Sequence, residues 1–346
     1  MALHPPEPAW IEEIRRFLPP VLALASAVLL DRLCAARGFL PPGFARAWRR
    51  GLGFLALAFF FWIALYGNLS TLGREAPPLD LTHLTAPRLF FVHFLMIGTM
   101  VVWFLAGYAG TAGTAAMAEM AEMAEMAPRV RPEPVLPEAE PEPAWLPGGW
   151  PPVARPIPPI PPPAVPSVPP APPRRVSLGR VLAGQLGFLA PDVPREIGVG
   201  VLAGVGSWFA VLLASVILGL LLYALGAEGA APTKPPELIV WIAGLPLAIR
   251  ILAALSAGVV EETFFRGFLQ PRIGLWLSSA FFVLGHLSYG QPLLLVGIAV
   301  LSILYGTLVR WRQNIWPAIA AHILFDGVQL LVIIPLTLKL LGNGLR

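Results

Sequence analysis

Charge is scarce in this sequence. Asp, Glu, Lys and Arg make up 13% of its 346 residues, against about 25% in an average soluble protein. So little charge excludes a soluble globular enzyme, a disordered chain and a nucleic-acid-binding module. A single cysteine, Cys34, excludes an intrachain disulfide and leaves the redox compartment unread. Apolar residues fill the chain instead: 56% are hydrophobic, and mean hydropathy is +0.71. That composition describes a polytopic membrane protein. The net charge of +4 then reflects arginine-rich cytoplasmic loops rather than a nucleic-acid partner.

Apolar stretches predict about eight spans: Phe17–Leu33, Gly51–Gly67, Leu89–Tyr108, Ile197–Leu225, Leu245–Phe268, Gly274–Leu287, Leu293–Val309 and Ile315–Leu338. Each approaches the ~20 residues that a ~30 Å hydrocarbon core requires. The first stretch follows Arg15 and Arg16 and contains Ala25-Ser26-Ala27, as a cleavable signal would. Its apolar run continues to Leu30 and ends in Asp31-Arg32, so a retained anchor is expected.

A long interruption divides the spans. Met117–Ala127 repeats Met-Ala-Glu, and residues 128–173 hold 20 of the 40 prolines. Proline removes backbone donors and favours extended polyproline II, so a semi-rigid solvated linker is expected there. The fold class is therefore all-α, a polytopic transmembrane helical bundle in three parts. Residues 1–113 form a three-span module, 114–180 a low-complexity and proline-rich linker, and 181–346 a five-helix module. Arg32, Arg37, Arg46, Arg49 and Arg50, the linker arginines, Arg272, Arg310 and Arg312 all fall on one side of this topology. That side is expected to be cytoplasmic, with both termini opposite.

A charge inside a span costs about 2.5–3.5 kcal/mol even on lenient scales, which makes it a functional candidate. From Leu238 onward the acids are Glu261, Glu262 and Asp326, and the histidines are His286 and His322. All five lie in predicted spans. On a helix Glu262 and Arg266 are i,i+4 and can pair, while Glu261 is turned about 100° away, towards a cavity. His322 and Asp326 also share a face. Glu261 and His286 stand equally far from a bend near Ile273-Gly274, so they can meet at one depth, with His322 nearby. His93, alone in the third span, is expected to be hydrogen-bonded within the bundle.

A carboxylate and two histidines serve two chemistries. A carboxylate with a partner histidine can activate water while the second histidine stabilises an oxyanion. Glu261, His286 and His322 can equally be read as zinc ligands with an open fourth position, although the sequence holds no His-Glu-x-x-His motif.

Glu261-Glu262-x-x-x-Arg266, Phe282-x-x-x-His286 and His322-x-x-x-Asp326 resemble, in order and spacing, the motifs of the CPBP family of intramembrane proteases. That group contains the type II CAAX prenyl endopeptidases. The resemblance spans about Glu196–Pro335. It implies a helical bundle with a cavity and hydrolysis of a peptide bond near the membrane surface. The implied substrate is a hydrophobic or lipid-modified peptide. Glu261 and His286 would activate water, His322 and Asp326 would stabilise the oxyanion or orient the substrate, and Glu262 and Arg266 would support the site. The resemblance leaves zinc and a metal-free glutamate mechanism both open. Asp326 stands where many members carry asparagine, and an ionised aspartate donates no hydrogen bond. Two other functions compete: a catalytically silent immunity or scaffold protein on the same bundle, and a transporter using the same polar residues. The composition, rich in Ala, Pro, Gly and Arg, points to a bacterial inner membrane.

Overall fold

The structure, a computed structural model, describes residues 8–67, 69, 85–110, 177–227, 237–287 and 292–344. The Met-Ala-Glu repeat and the proline-rich stretch lie outside the described residues, as do Arg74 and Lys234. Regular structure among the described residues is helical throughout. In chain order the N-terminal part contributes α1 (Ala9–Ala36), α2 (Ala47–Phe60) and α3 (Phe91–Tyr108). Beyond the linker come α4 (Leu178–Gln185), α5 (Val193–Ala224), α6 (Glu237–Gly244) and α7 (Leu247–Ser256). The chain ends with α8 (Leu275–Gly285), α9 (Pro292–Arg312), α10 (Trp316–Val328) and α11 (Ile334–Gly344).

Six helical segments among the described residues are long and apolar enough to cross a membrane. They correspond to six of the eight expected stretches. The other two expected stretches are helical but differ for physical reasons. α8 has 11 residues, or ~16 Å at 1.5 Å per residue, short of a full crossing. α7 is long enough only through its continuation to Ile273, and that continuation carries Glu261, Glu262, Arg266 and Arg272.

The continuation is a π-helix, Ala257–Leu269. Apolar patterning does not distinguish i→i+5 from i→i+4 bonding, so the sequence predicts an ordinary α-helix here. The wider turn is visible where the Gln270 N–H donates to the Phe265 carbonyl, five residues back. π-turns are rare and concentrate at functional sites. The π-helix ends in a short turn, Gln270–Ile273, and then Gly274 at φ +89°. That left-handed conformation suits glycine and makes the bend expected at Ile273-Gly274.

Aromatic rings join the N-terminal helices to the π-helix and to α8. Phe60 lies 4.4 Å from Phe264 and Phe61 5.1 Å from Phe281, while Trp103 and Phe104 lie 5.5 and 5.9 Å from Phe268, centroid to centroid. These rings are buried in one continuous apolar core. The outer faces are apolar too. Leu202, Phe209, Leu212, Leu213 and Leu220 on α5 are all more than half exposed, as residues facing lipid would be. Tryptophans favour the membrane interface, and the sequence offers Trp276, Trp311 and Trp316 for that belt: Trp276 and Trp311 are exposed, whereas Trp316 is half-buried and donates to the Phe188 carbonyl.

Arg272 departs from its expected place on a cytoplasmic surface. It is fully buried. Its Nη1 donates to the Phe268 carbonyl at 2.5 Å and its Nη2 to Gln185 Oε1 at 3.3 Å. The guanidinium also lies 4.4 Å from the Phe268 ring. Donors in a rigid planar fork let arginine be buried where several acceptors converge, and here it ties the turn before α8 to α4.

α5 and α10 approach closely at Gly200. A Cβ there would stand 2.7 Å from Ala320 Cβ and 2.9 Å from Pro317 Cα. Small residues of this kind let membrane helices pack backbone to backbone. We expect Gly200→Ala to destabilise the protein by about 1–3 kcal/mol through overpacking. Gly206→Ala, which meets open space, should be near neutral. Thermal unfolding of the two variants in the same detergent makes the comparison.

Candidate active site

Two neighbouring carboxylates on the π-helix turn to different partners. Glu262 is completely buried. Its Oε1 lies 2.9 Å from Arg266 Nη1 and 2.7 Å from His322 Nδ1. The expected i,i+4 pair with Arg266 is therefore present. Arg266 is also buried. Its Nη2 donates to Ser302 Oγ at 3.2 Å, and its guanidinium sits 4.3 Å from the centre of the Phe282 ring. Removing either partner would strand a charge in an apolar interior, so the pair holds the π-helix, α8, α9 and α10 in one arrangement.

Glu261 points elsewhere, as the helical offset implies. Its Oε1 lies 3.1 Å from His93 Nε2 on α3, with both side chains largely shielded. His93 Nδ1 in turn lies 2.7 Å from Ser256 Oγ. The other carboxylate oxygen, Oε2, is buried and has no hydrogen-bond partner among the described residues.

His286 caps the C-terminus of α8, and its Nδ1 lies 2.7 Å from the Phe282 carbonyl. A carbonyl only accepts, so Nδ1 carries a proton. In the neutral ring Nε2 is then the basic nitrogen. Phe282 stands between the two site histidines, with ring centres 4.7 Å from His286 and 6.3 Å from His322. His322 lies between two acids: Nδ1 faces Glu262, and Nε2 is 3.5 Å from Asp326 Oδ2. Tyr305, 5.7 Å away by ring centres, covers its other side. The expected face shared by His322 and Asp326 is therefore formed.

All six expected site residues fall in this one region. The sequence reading missed the partnership of His93 with Glu261. It took His93 as a bundle hydrogen bond, which it is, without assigning the acceptor. A lone ionisable residue in an otherwise apolar span was the available signal, but its partner lies 168 residues away.

Glu261, His286 and His322, the expected zinc set, are not gathered into one cluster among the described residues. His322 Nδ1 is engaged by Glu262, and its Nε2 stands 3.5 Å from Asp326 Oδ2. Among the described residues no group of three or more His, Cys, Asp or Glu side chains is gathered to hold an ion. No step below runs through a metal.

Residues 243–328 match the family described as type II CAAX prenyl endopeptidase, Rce1-like. The matched stretch is about a quarter of the chain and contains all three motifs, which bears out the resemblance read from them. The Bacillus subtilis protein YpbD, itself described as uncharacterized, is 35% identical over 79 residues. That alignment covers 22% of this chain and 42% of YpbD, so the chain spans less than half the length of that curated relative. No solved structure matches significantly. α1, α2 and α3 lie outside the matched stretch.

We expect Arg266→Ala to cost about 3–5 kcal/mol, because it leaves Glu262 buried beside one histidine alone. Ser302→Ala, which removes a single bond to Arg266, should cost about 1 kcal/mol. Denaturant titration in mild detergent ranks the two.

Proposed function

We propose that this chain is an intramembrane endopeptidase of the type II CAAX class, acting in a bacterial inner membrane on a hydrophobic or lipid-modified peptide. The observation that carries the reading is the state of Glu261. One of its oxygens is anchored by His93, and the other is buried and unbonded. A carboxylate so held is a directed base. Water placed between Glu261 Oε2 and His286 Nε2 gives its proton to the carboxylate as its oxygen attacks the scissile carbonyl carbon. The carbonyl π pair moves to oxygen, and the proton then passes to the leaving amine as the C–N bond breaks.

The oxyanion needs positive charge nearby in a water-poor site. Carboxylates only accept hydrogen bonds, so a His322 ring that serves both Glu262 and Asp326 carries both protons and a positive charge. In this reading Asp326 acts on the oxyanion through His322 and orients the substrate. Arg266 and Glu262 keep His322 in place.

The test is cleavage of a membrane-peptide library by the full-length protein in proteoliposomes. Wild type should cleave. Glu261→Ala should lose at least about 10²-fold in rate with an unchanged melting temperature, and a strong chelator should leave wild-type cleavage intact. Cleavage by Glu261→Ala would sink the proposal, and chelator sensitivity would return a metal to the mechanism.

A further inference from the structure

The three N-terminal helices lie outside the stretch that matches a protease family, yet one of them reaches its central carboxylate. We infer that His93 on α3 is a positioning residue for Glu261, so that the N-terminal module completes the active site rather than serving as an added anchor. This rests on the endopeptidase reading above.

Chemistry assigns the direction of each bond. The Glu261 carboxylate only accepts, so the proton in the 3.1 Å contact belongs to His93 Nε2. In the neutral ring Nδ1 is then an acceptor, and the 2.7 Å contact is made by the Ser256 hydroxyl donating to it. Ser256 thereby selects the tautomer that holds Glu261. Ser256 and Glu261 are five residues apart, at the start of the π-helix. A helix bonded i→i+5 stacks such residues one turn over the other, so one imidazole can bridge them. In an α-helix the two would stand about 140° apart around the axis.

The consequence falls on the two oxygens of Glu261. His93 takes Oε1 and fixes the side-chain torsions, so that Oε2 is the oxygen offered to water. Aromatic contacts hold α3 against the π-helix on the same side, through Trp103 and Phe104 on Phe268. The Phe90 ring packs 6.1 Å from His93. The placement of His93 is thus set by a rigid interface between the two modules. A single imidazole N–H orients the base through one hydrogen bond, where a lysine or arginine would bring a permanent charge.

The experiment uses full-length protein in proteoliposomes with a cleaved peptide. His93→Phe keeps the ring volume and removes both nitrogens. It should lower kcat by about 10–100-fold, the cost of a base misplaced by about 1 Å, with KM unchanged and a melting temperature lowered only by the lost hydrogen bonds. His93→Gln restores an N–H donor at nearly the same reach and should recover most of the loss. Ser256→Ala should lower kcat in the same direction by less. A second readout needs no turnover: in ¹⁵N-histidine-labelled protein, the His93 Nε2–H resonance should shift in Glu261→Ala. Wild-type kcat in His93→Phe overturns the inference, as does failure of His93→Gln to recover activity at an unchanged melting temperature. If wild type cleaves nothing, the endopeptidase reading falls, and the resonance decides alone: a shift upholds the His93–Glu261 coupling, and no shift overturns it.

Discussion

Glu262 is the constraint around which the C-terminal helices are organised. A carboxylate fully removed from solvent is tolerated only when its charge and its lone pairs are met. Arg266 meets the charge from one π-helical turn away, and His322 meets it from α10. Arg266 itself then needs acceptors, and it finds them at Ser302 on α9 and over the face of Phe282 on α8. Four helical segments are thus fixed by the requirements of one buried acid. Such a network adds little net stability compared with a well-packed apolar substitute. What it contributes is a single allowed geometry for His322.

The rest of the core secures that geometry from outside. Lipid offers no hydrophobic driving force between helices, so association depends on close packing and on polar contacts. Both are present. Gly200 lets α5 lie against α10, the helix that carries His322. On α5 Glu196 also accepts from Arg312, at 2.9 and 2.5 Å, in a two-pronged pair. On the opposite side, Phe60, Trp103 and Phe104 pack against Phe264 and Phe268 of the π-helix. The π-helix is therefore gripped on both flanks, and its two acids are turned towards different walls.

Much of this was legible in the sequence because the signals are local. A helix places Glu262 beside Arg266 and His322 beside Asp326 by spacing alone, and both contacts form. The apolar stretches mark helices to within a few residues, although α1 begins at Ala9 rather than Phe17. Two features escaped for reasons of range and degeneracy. Arg272 reads as a surface arginine because it sits at a turn, and only the approach of Gln185, 87 residues away, explains its burial. The π-helix escaped because over so short a segment the residue pattern does not separate i→i+5 from i→i+4 winding. His93 combines both difficulties, since its partner is distant in sequence and its other contact, Ser256, is brought into register by the π-turn.

The two adjacent acids divide the work by the kind of partner each has. Glu262 faces a guanidinium and an imidazole between two carboxylates, so its charge is neutralised and its position is fixed. Such a group is a poor base because its charge is already paired with Arg266 and shared with His322 through Oε1. Glu261 faces an imidazole that donates one hydrogen bond and is itself held by a serine hydroxyl. One oxygen is oriented and the charge is kept. The residue type is the same, so the difference belongs to what each side chain meets: the next turn of the π-helix and α10 supply Arg266 and His322 to one, and α3 supplies a hydrogen bond to the other. The pairing of Glu261 with a helix outside the family-matched stretch follows from this division. On the proposed endopeptidase reading Glu261 must stay reactive, so it needs a partner that directs it without quenching it, and the C-terminal helices have committed Arg266 and His322 to its neighbour.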